Sequence, residues 1–229
     1  MRLVNKRICI LLSGRGSNFV ALSDWLSAQS LPIDISCVVS NRPHAPGLAL
    51  ARERGIRALC FDTQQPGGMP AFEAALEEEL RRVPVDLIVL AGFMRILSGG
   101  FCERYRNRVL NIHPSLLPAF PGLRTHERAL ASGARVHGAT VHLVNADLDA
   151  GAILAQGVVP VLEGDTPEQL GARVLEIEHL LFPQAVAAVA SGLMRMGPSG
   201  WERAAAEPGF ESCGFSPVLL HSAFHKTSP

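Results

Sequence analysis

The chain has 229 residues, an apolar fraction of 48%, and basic and acidic residues in equal number, 21 of each. Its size and apolar content suit one large α/β domain or two small ones. The zero formal charge supplies neither a basic stripe for nucleic acid nor a polybasic patch for a membrane surface.

At the N-terminus, Arg2, Lys6 and Arg7 precede only about five apolar residues before Ser13, too few for a signal peptide or a membrane span. A cytoplasmic protein is therefore expected. Strand-like β-branched runs then alternate with helical patterns. Strands are predicted at Arg7–Ser13, Ile33–Ser40, Ile56–Phe61, Leu87–Ala91 and Val109–Ile112. Helices are predicted between them at Ser17–Ala28, Pro46–Arg54 and Ala71–Arg82. This rhythm implies an α/β fold, a mostly parallel sheet with helices on both faces. The second half reads differently. The segment 113–122 is proline-rich and aperiodic, followed by a short helix at Thr125–Ser132. Strands at Gly138–Val144 and Ile153–Val161 flank an Asp- and Gly-rich loop at 145–151. A long helix is expected from Pro167 to about Ser191, capped by Asp165 or Thr166. From Gly197 the pattern decays, and residues 197–229 are expected to form a weakly ordered extension.

Five cysteines, Cys9, Cys37, Cys60, Cys102 and Cys213, show no paired spacing. They read as buried thiols of a reducing compartment, with a nucleophile as the sharper alternative.

Two segments carry chemistry. Ser13-Gly14-Arg15-Gly16-Ser17-Asn18 joins the first strand to the first helix. Its glycines allow close backbone approach, and the helix N-terminus directs free N–H groups and a positive dipole end at a ligand. A dinucleotide fingerprint needs a further glycine where Phe19 stands, and an acid where the second strand ends in Ser40-Asn41-Arg42. A nucleoside triphosphate loop would continue with lysine. A monophosphate fits better, the plain alternative being a tight turn with Ser17 as helix cap. The second segment is Asn111-Ile112-His113-Pro114. Asn111 and His113 are two apart at a strand end and so share a face. An asparagine amide can stabilise an oxyanion, and an imidazole can donate or carry protons near neutral pH. Asp149, in Leu148-Asp149-Ala150-Gly151, reads either as a turn residue or as a carboxylate that orients His113. His142 reads as a supporting group or, more simply, as a core histidine. No Gly-x-Ser-x-Gly elbow and no paired metal-ligand spacing is present, so a hydrolase elbow and a metal site are not expected.

With these motifs in place, the chain resembles the phosphoribosylglycinamide formyltransferase family. The resemblance lies in Ser-Gly-Arg-Gly-Ser-Asn at 13–18, Ala-Gly-Phe-Met-Arg-Ile-Leu at 91–97 and Asn-Ile-His-Pro-Ser-Leu-Leu-Pro at 111–118. Pro-Gly-Leu-Arg-Thr-His at 121–126, Val-His-Leu-Val at 141–144 and Leu-Asp-Ala-Gly at 148–151 continue it. It runs from about Arg7 to Met196. It implies a Rossmann-like sheet in a formyltransferase domain over residues 1–196, with a phosphate-binding half (about 7–110) and a folate-binding, catalytic half (about 111–196). The implied reaction is formyl transfer from 10-formyltetrahydrofolate to glycinamide ribonucleotide in de novo purine synthesis, without a metal. Gly16, Ser17, Asn18 and Glu178 match ribonucleotide-binding positions. Met94, Arg95, Ile96, Leu97 and Asn111 match folate-binding positions, and Asn111, His113 and Asp149 match the catalytic trio. The chain departs from the family pattern at Met69, where an arginine contacting folate is expected, and at Arg124, where histidine is commoner. No counterpart is evident from about Trp201 onward, where the tail is either a mobile extension or a homodimer contact.

Rival readings are a formyltetrahydrofolate deformylase and a methionyl-tRNA formyltransferase. The first would use water as acceptor and leave the phosphate loop idle. The second would need a basic RNA-binding domain. A non-catalytic nucleotide-binding module is the rival from another class.

Overall fold

A computed structural model describes residues 5–205, 207, 210 and 215–225; Cys213 lies outside them. Strands β1 (Lys6–Leu12), β2 (Ile33–Ser40), β3 (Ala58–Cys60), β4 (Leu87–Leu90) and β5 (Val109–His113) alternate with helices α1 (Ser17–Gln29), α2 (Pro46–Glu53), α3 (Gly68–Arg82) and α4 (Gly99–Arg104). The second half adds α5 (Thr125–Ala131), strands β6 (Val136–Leu143) and β7 (Ile153–Pro160), helix α6 (Pro167–Ala190), the short strands β8 (Met194–Gly197), β9 (Gly200–Arg203) and β10 (Val218–Leu220), and a closing 3₁₀ turn.

Eight strands form one sheet in the order β10-β7-β6-β5-β4-β1-β2-β3, and β8 pairs with β9 in a separate hairpin. Neighbours from β3 to β5 run parallel, β6 is antiparallel to β5 and β7, and β10 is parallel to β7. The expected α/β fold, a Rossmann-like and mostly parallel sheet, is the observed one. β1 shows why its sequence reads as an unbroken apolar run. Ile8, Ile10 and Leu12 enter the cluster packed under α1, α2 and α6, while Cys9 and Leu11 enter the cluster under α3 and α4. A strand covered on both faces has no polar alternation to show.

The long helix begins where expected. Thr166 caps it in a capping box with Gln169, and Asp165 instead pairs with Arg173 at 2.8 Å. The sequence reading did not assign α4, β8, β9 and β10. The first is six residues long and carries Gly99 and Gly100, so only its cap, the Ser98 hydroxyl accepting from the Phe101 N–H, marks it. β10 is three residues long and gains its identity from pairing with β7. β3 is shorter than expected because Ile56 and Arg57 precede the pairing with β2. Among the described residues no helix is long and apolar enough to cross a membrane.

Candidate active site

The strand order reverses between β1 and β4, so the connections leaving their carboxyl ends diverge and leave a crevice. The loops after β1, β4 and β5 carry the three sequence motifs. Gly16 is the cap residue just before α1, at φ 80°, and Ser17 is the helix's first residue rather than its cap. A Cβ on Gly16 would come within 2.9 Å of Gly47 Cα, so both the turn and the close approach of α2 require glycine. Asn18 is buried on α1, and its Nδ2 donates to Glu178 Oε2 on α6 at 2.7 Å. The Asn18 Oδ1 is buried without a protein partner. Burial pushes the Glu178 carboxyl up to about 7, and the Asn18 hydrogen bond offsets only part of that rise. A helix N-terminus thus stands beside a buried amide–carboxyl pair that keeps an acceptor to spare.

The loop after β4 turns at Gly92, φ 77°. Met94, Arg95 and Ile96 are exposed, whereas Leu97 is buried in the α3/α4 cluster. Of the four folate contacts expected in this loop, Leu97 therefore offers a ligand its backbone rather than an exposed side chain. The hydrophobic pattern of the segment 91–97 could not separate the two roles. Met69, at the position of the missing arginine, packs against the same cluster. Arg124 is exposed at the start of α5.

The structure brings His113 and Asp149 together and sets Asn111 beside them through His142. His113 Nδ1 lies 3.4 Å from Asp149 Oδ2, and its Nε2 faces the Phe120 carbonyl at 3.1 Å. Asp149, at φ 52°, also accepts the Gly122 N–H at 2.8 Å, so one carboxylate fixes both the histidine and the loop over it. His142 is buried, and its Nδ1 donates to the Leu143 carbonyl at 2.7 Å. Its Nε2 is then a lone pair that accepts from Asn111 Nδ2 at 3.1 Å, which fixes the orientation of the amide. Burial keeps the His142 pKa below its ordinary value, consistent with a neutral ring. His142 is thus a buried core histidine that also holds the Asn111 amide.

Sequence reasoning missed the residues that hold the segment 113–118 in place. Thr140 Oγ1 accepts from the Leu117 N–H at 3.0 Å and donates to the Ser115 carbonyl at 2.6 Å. Gln156 Nε2 donates to the Leu117 carbonyl at 2.8 Å, and Ser115 Oγ to the Ala119 carbonyl at 2.6 Å. For Thr140 and Gln156 the only signal is polarity inside strands that read as buried. Two cavities, of about 280 and 240 Å³, lie elsewhere, the larger between the amino ends of β1 and β4 and the β8–β9 hairpin. None of the expected site residues lines either.

Comparison with known proteins places this arrangement in a lineage. The profile described as "Formyl transferase" matches residues 6–186. A phosphoribosylglycinamide formyltransferase of Escherichia coli is 41% identical over 194 residues, covering 82% of this chain and 89% of that protein. Trifunctional purine biosynthetic protein adenosine-3 of Gallus gallus is 44% identical, but the chain spans only 19% of its length. The crystal structure of phosphoribosylglycinamide formyltransferase from Anaplasma phagocytophilum superposes with a TM-score of 0.84 at 36% identity, over 95% of this chain and all of that one. That coverage carries the likeness past Trp201, where the sequence alone showed no counterpart. A formyltetrahydrofolate deformylase from Pseudomonas syringae is more distant in sequence, with 27% identity, a TM-score of 0.79, and coverage of 87% of this chain and 66% of that one. With the family profile matched from β1 into α6 and a relative of 41% identity covered over 89% of its length, the chain belongs to the phosphoribosylglycinamide formyltransferases of the formyl transferase family.

Proposed function

We propose that the protein transfers a formyl group from 10-formyltetrahydrofolate to the primary amine of glycinamide ribonucleotide, with Asn111, His113 and Asp149 at the reacting centre. The observation that carries this reading is the meeting of the His113 ring and the Asp149 carboxylate at the carboxyl end of β5, with the Asn111 amide oriented beside them. The amine nitrogen attacks the formyl carbon, and the carbonyl electrons move onto oxygen. The C–N bond to the folate nitrogen then breaks as a proton passes from the amine to that nitrogen. Asn111 spends one of its two N–H groups on His142, which leaves the other for the developing oxyanion. Both ring nitrogens of His113 face acceptors, an arrangement that suits the doubly protonated ring. To reach the oxyanion, one N–H must leave its acceptor. Releasing the neutral Phe120 carbonyl keeps the charge pair with Asp149 intact, whereas releasing Asp149 does not. Asp149 then stabilises the imidazolium and can take the amine proton through a water.

Positioning supplies the rest. Gly16, Ser17 and Asn18 hold the phosphate at the α1 N-terminus, and Glu178 accepts hydrogen bonds from the ribose hydroxyls. Met94, Arg95 and Ile96, with the Leu97 backbone, border the folate. The phosphate loop is remote from the bond changes, so its binding energy serves to fix the amine against the formyl carbon. The test is steady-state folate-product formation with and without glycinamide ribonucleotide. Turnover that requires the amine substrate supports the proposal. Equal turnover without it identifies a deformylase, and no turnover leaves a binding module.

A further inference from the structure

The ribonucleotide and folate loops are not independent, and one buried side chain joins them. Ser13 closes β1 at the first position of the phosphate loop and is 2% exposed. Its N–H donates to the Gly92 carbonyl at 3.0 Å, and its Oγ accepts the Met94 N–H at 2.8 Å. Both partners lie in the loop after β4. The Ser13 hydroxyl in turn donates to Asn41 Oδ1 at 2.5 Å, at the end of β2. Asn41, 1% exposed, holds the next loop through its Nδ2, which donates to Thr63 Oγ1 at 3.2 Å. The serine hydroxyl has one proton and uses it on Asn41, so its lone pairs face Met94. The chain of bonds is directional, and each member is placed by the next. Buried polar groups of this kind are costly to leave unmatched, so the loops must move together or break the chain.

We infer that Ser13, oriented by Asn41, is a positioning residue that couples the two substrate sites, so that filling the phosphate loop pre-orders the folate loop at Met94. The inference rests on the functional reading above for the identity of the two ligands. By linkage the coupling is reciprocal: whatever factor a phosphate ligand adds to folate affinity, folate adds to phosphate affinity.

The decisive experiment uses ribose 5-phosphate and tetrahydrofolate, because the first has no glycinamide arm to touch the second, and any synergy must pass through the protein. The dissociation constant of tetrahydrofolate is measured with and without saturating ribose 5-phosphate, on the native chain and on Ser13→Ala. The expected result is about fivefold tighter folate binding in the native chain, the low end of common coupling factors, with the ratio falling to one in Ser13→Ala. Ser13→Cys, which keeps a weak acceptor, should lie between. A second measurement needs no variant, and it decides the matter where Ser13→Ala does not fold. Ribose 5-phosphate alone should slow hydrogen exchange at the Met94 amide of the native protein. Saturating ribose 5-phosphate that leaves both folate affinity and Met94 exchange unchanged overturns the coupling, as does a ratio retained in Ser13→Ala. Failure of the native chain to bind glycinamide ribonucleotide at all would overturn the functional reading itself, and the inference with it.

Discussion

At the scale of single residues, Glu178 sets the clearest conflict between stability and the binding role proposed for it. Its carboxyl is raised from an ordinary value of 4.5 to about 7 by burial. The folded chain therefore holds a proton that the unfolded chain has already released between these values. Stability from this group is present below pH 4.5, falls as pH rises to about 7, and stays lost above that. The loss is about 3 kcal/mol at 1.36 kcal/mol per unit. Glu178→Gln should thus raise the thermal midpoint at pH 8, leave it unchanged near pH 4.5, and weaken ribonucleotide binding at pH 8, where the carboxylate is the acceptor that the amide replaces. A variant no more stable at pH 8 than the native chain would contradict this account. The same scale shows how far the sequence could be read. Asn111, His113 and Asp149 could be singled out because their residue types suit one chemistry, and the structure sets the His113 ring against Asp149 with Asn111 bonded to His142 beside them. Thr140 and Gln156 could not be singled out, because a polar residue in a buried strand carries no sign of the loop it will hold. The split within the segment 94–97 was not legible either: Met94, Arg95 and Ile96 are exposed while Leu97 is buried in the core.

Packing between elements transmits effects to the site. β7 meets α6 at Gly157, where an added Cβ would come within 2.5 Å of Ile177 Cγ1. Ile177 is 1% exposed and precedes Glu178. Gly157→Val should displace α6, cost about 1–3 kcal/mol of stability as overpacking does, and raise KM for the ribonucleotide more than it lowers kcat. Loss of stability with KM unchanged would show that α6 does not carry the binding position. A second link joins α5 to β6, where His126 Nδ1 and His137 Nε2 stand 3.2 Å apart. Burial pushes His137 down from 6.5 to about 4, with the His126 and His113 charges adding to the effect. Here the unfolded chain binds the extra proton, so stability is present above pH 6.5 and is lost as pH falls to about 4, by about 3 kcal/mol. This runs against the Glu178 slope. His137→Leu should therefore flatten the acid-side fall in thermal midpoint between pH 6.5 and 5, and an unflattened profile would remove His137 from the acid response. Elements with long patterns were readable in advance, as α1, α6 and the parallel strands show. The short α4 and β10 were not, since a cap or a neighbouring strand, rather than their own periodicity, defines them.

For the molecule as a whole, the sheet order gathers loops that are far apart in sequence at one end. The loops after β1, β4 and β5, to which the proposal gives the ribonucleotide, the folate and the proton transfers, thereby meet at that end of the sheet. The alternation of strands and helices made that architecture readable. The antiparallel β6 and β7 were foreseen only as strands, because pairing direction is set by tertiary contacts and not by composition. Binding at both loops should stabilise the native state by mass action, about 2.7 kcal/mol for one ligand at a hundred times its Kd. Thermal midpoints should rise with ribose 5-phosphate and with tetrahydrofolate separately, and the absence of either shift would remove the corresponding loop from the account. The most direct test of the central claim is single-turnover formyl transfer to glycinamide ribonucleotide at saturating substrates, comparing the native chain with His113→Ala. A fall of two orders of magnitude or more, with both substrates still bound, is the result expected when a donor to the oxyanion is removed. A variant that transfers the formyl group at the native rate would contradict the placing of the chemistry at β5.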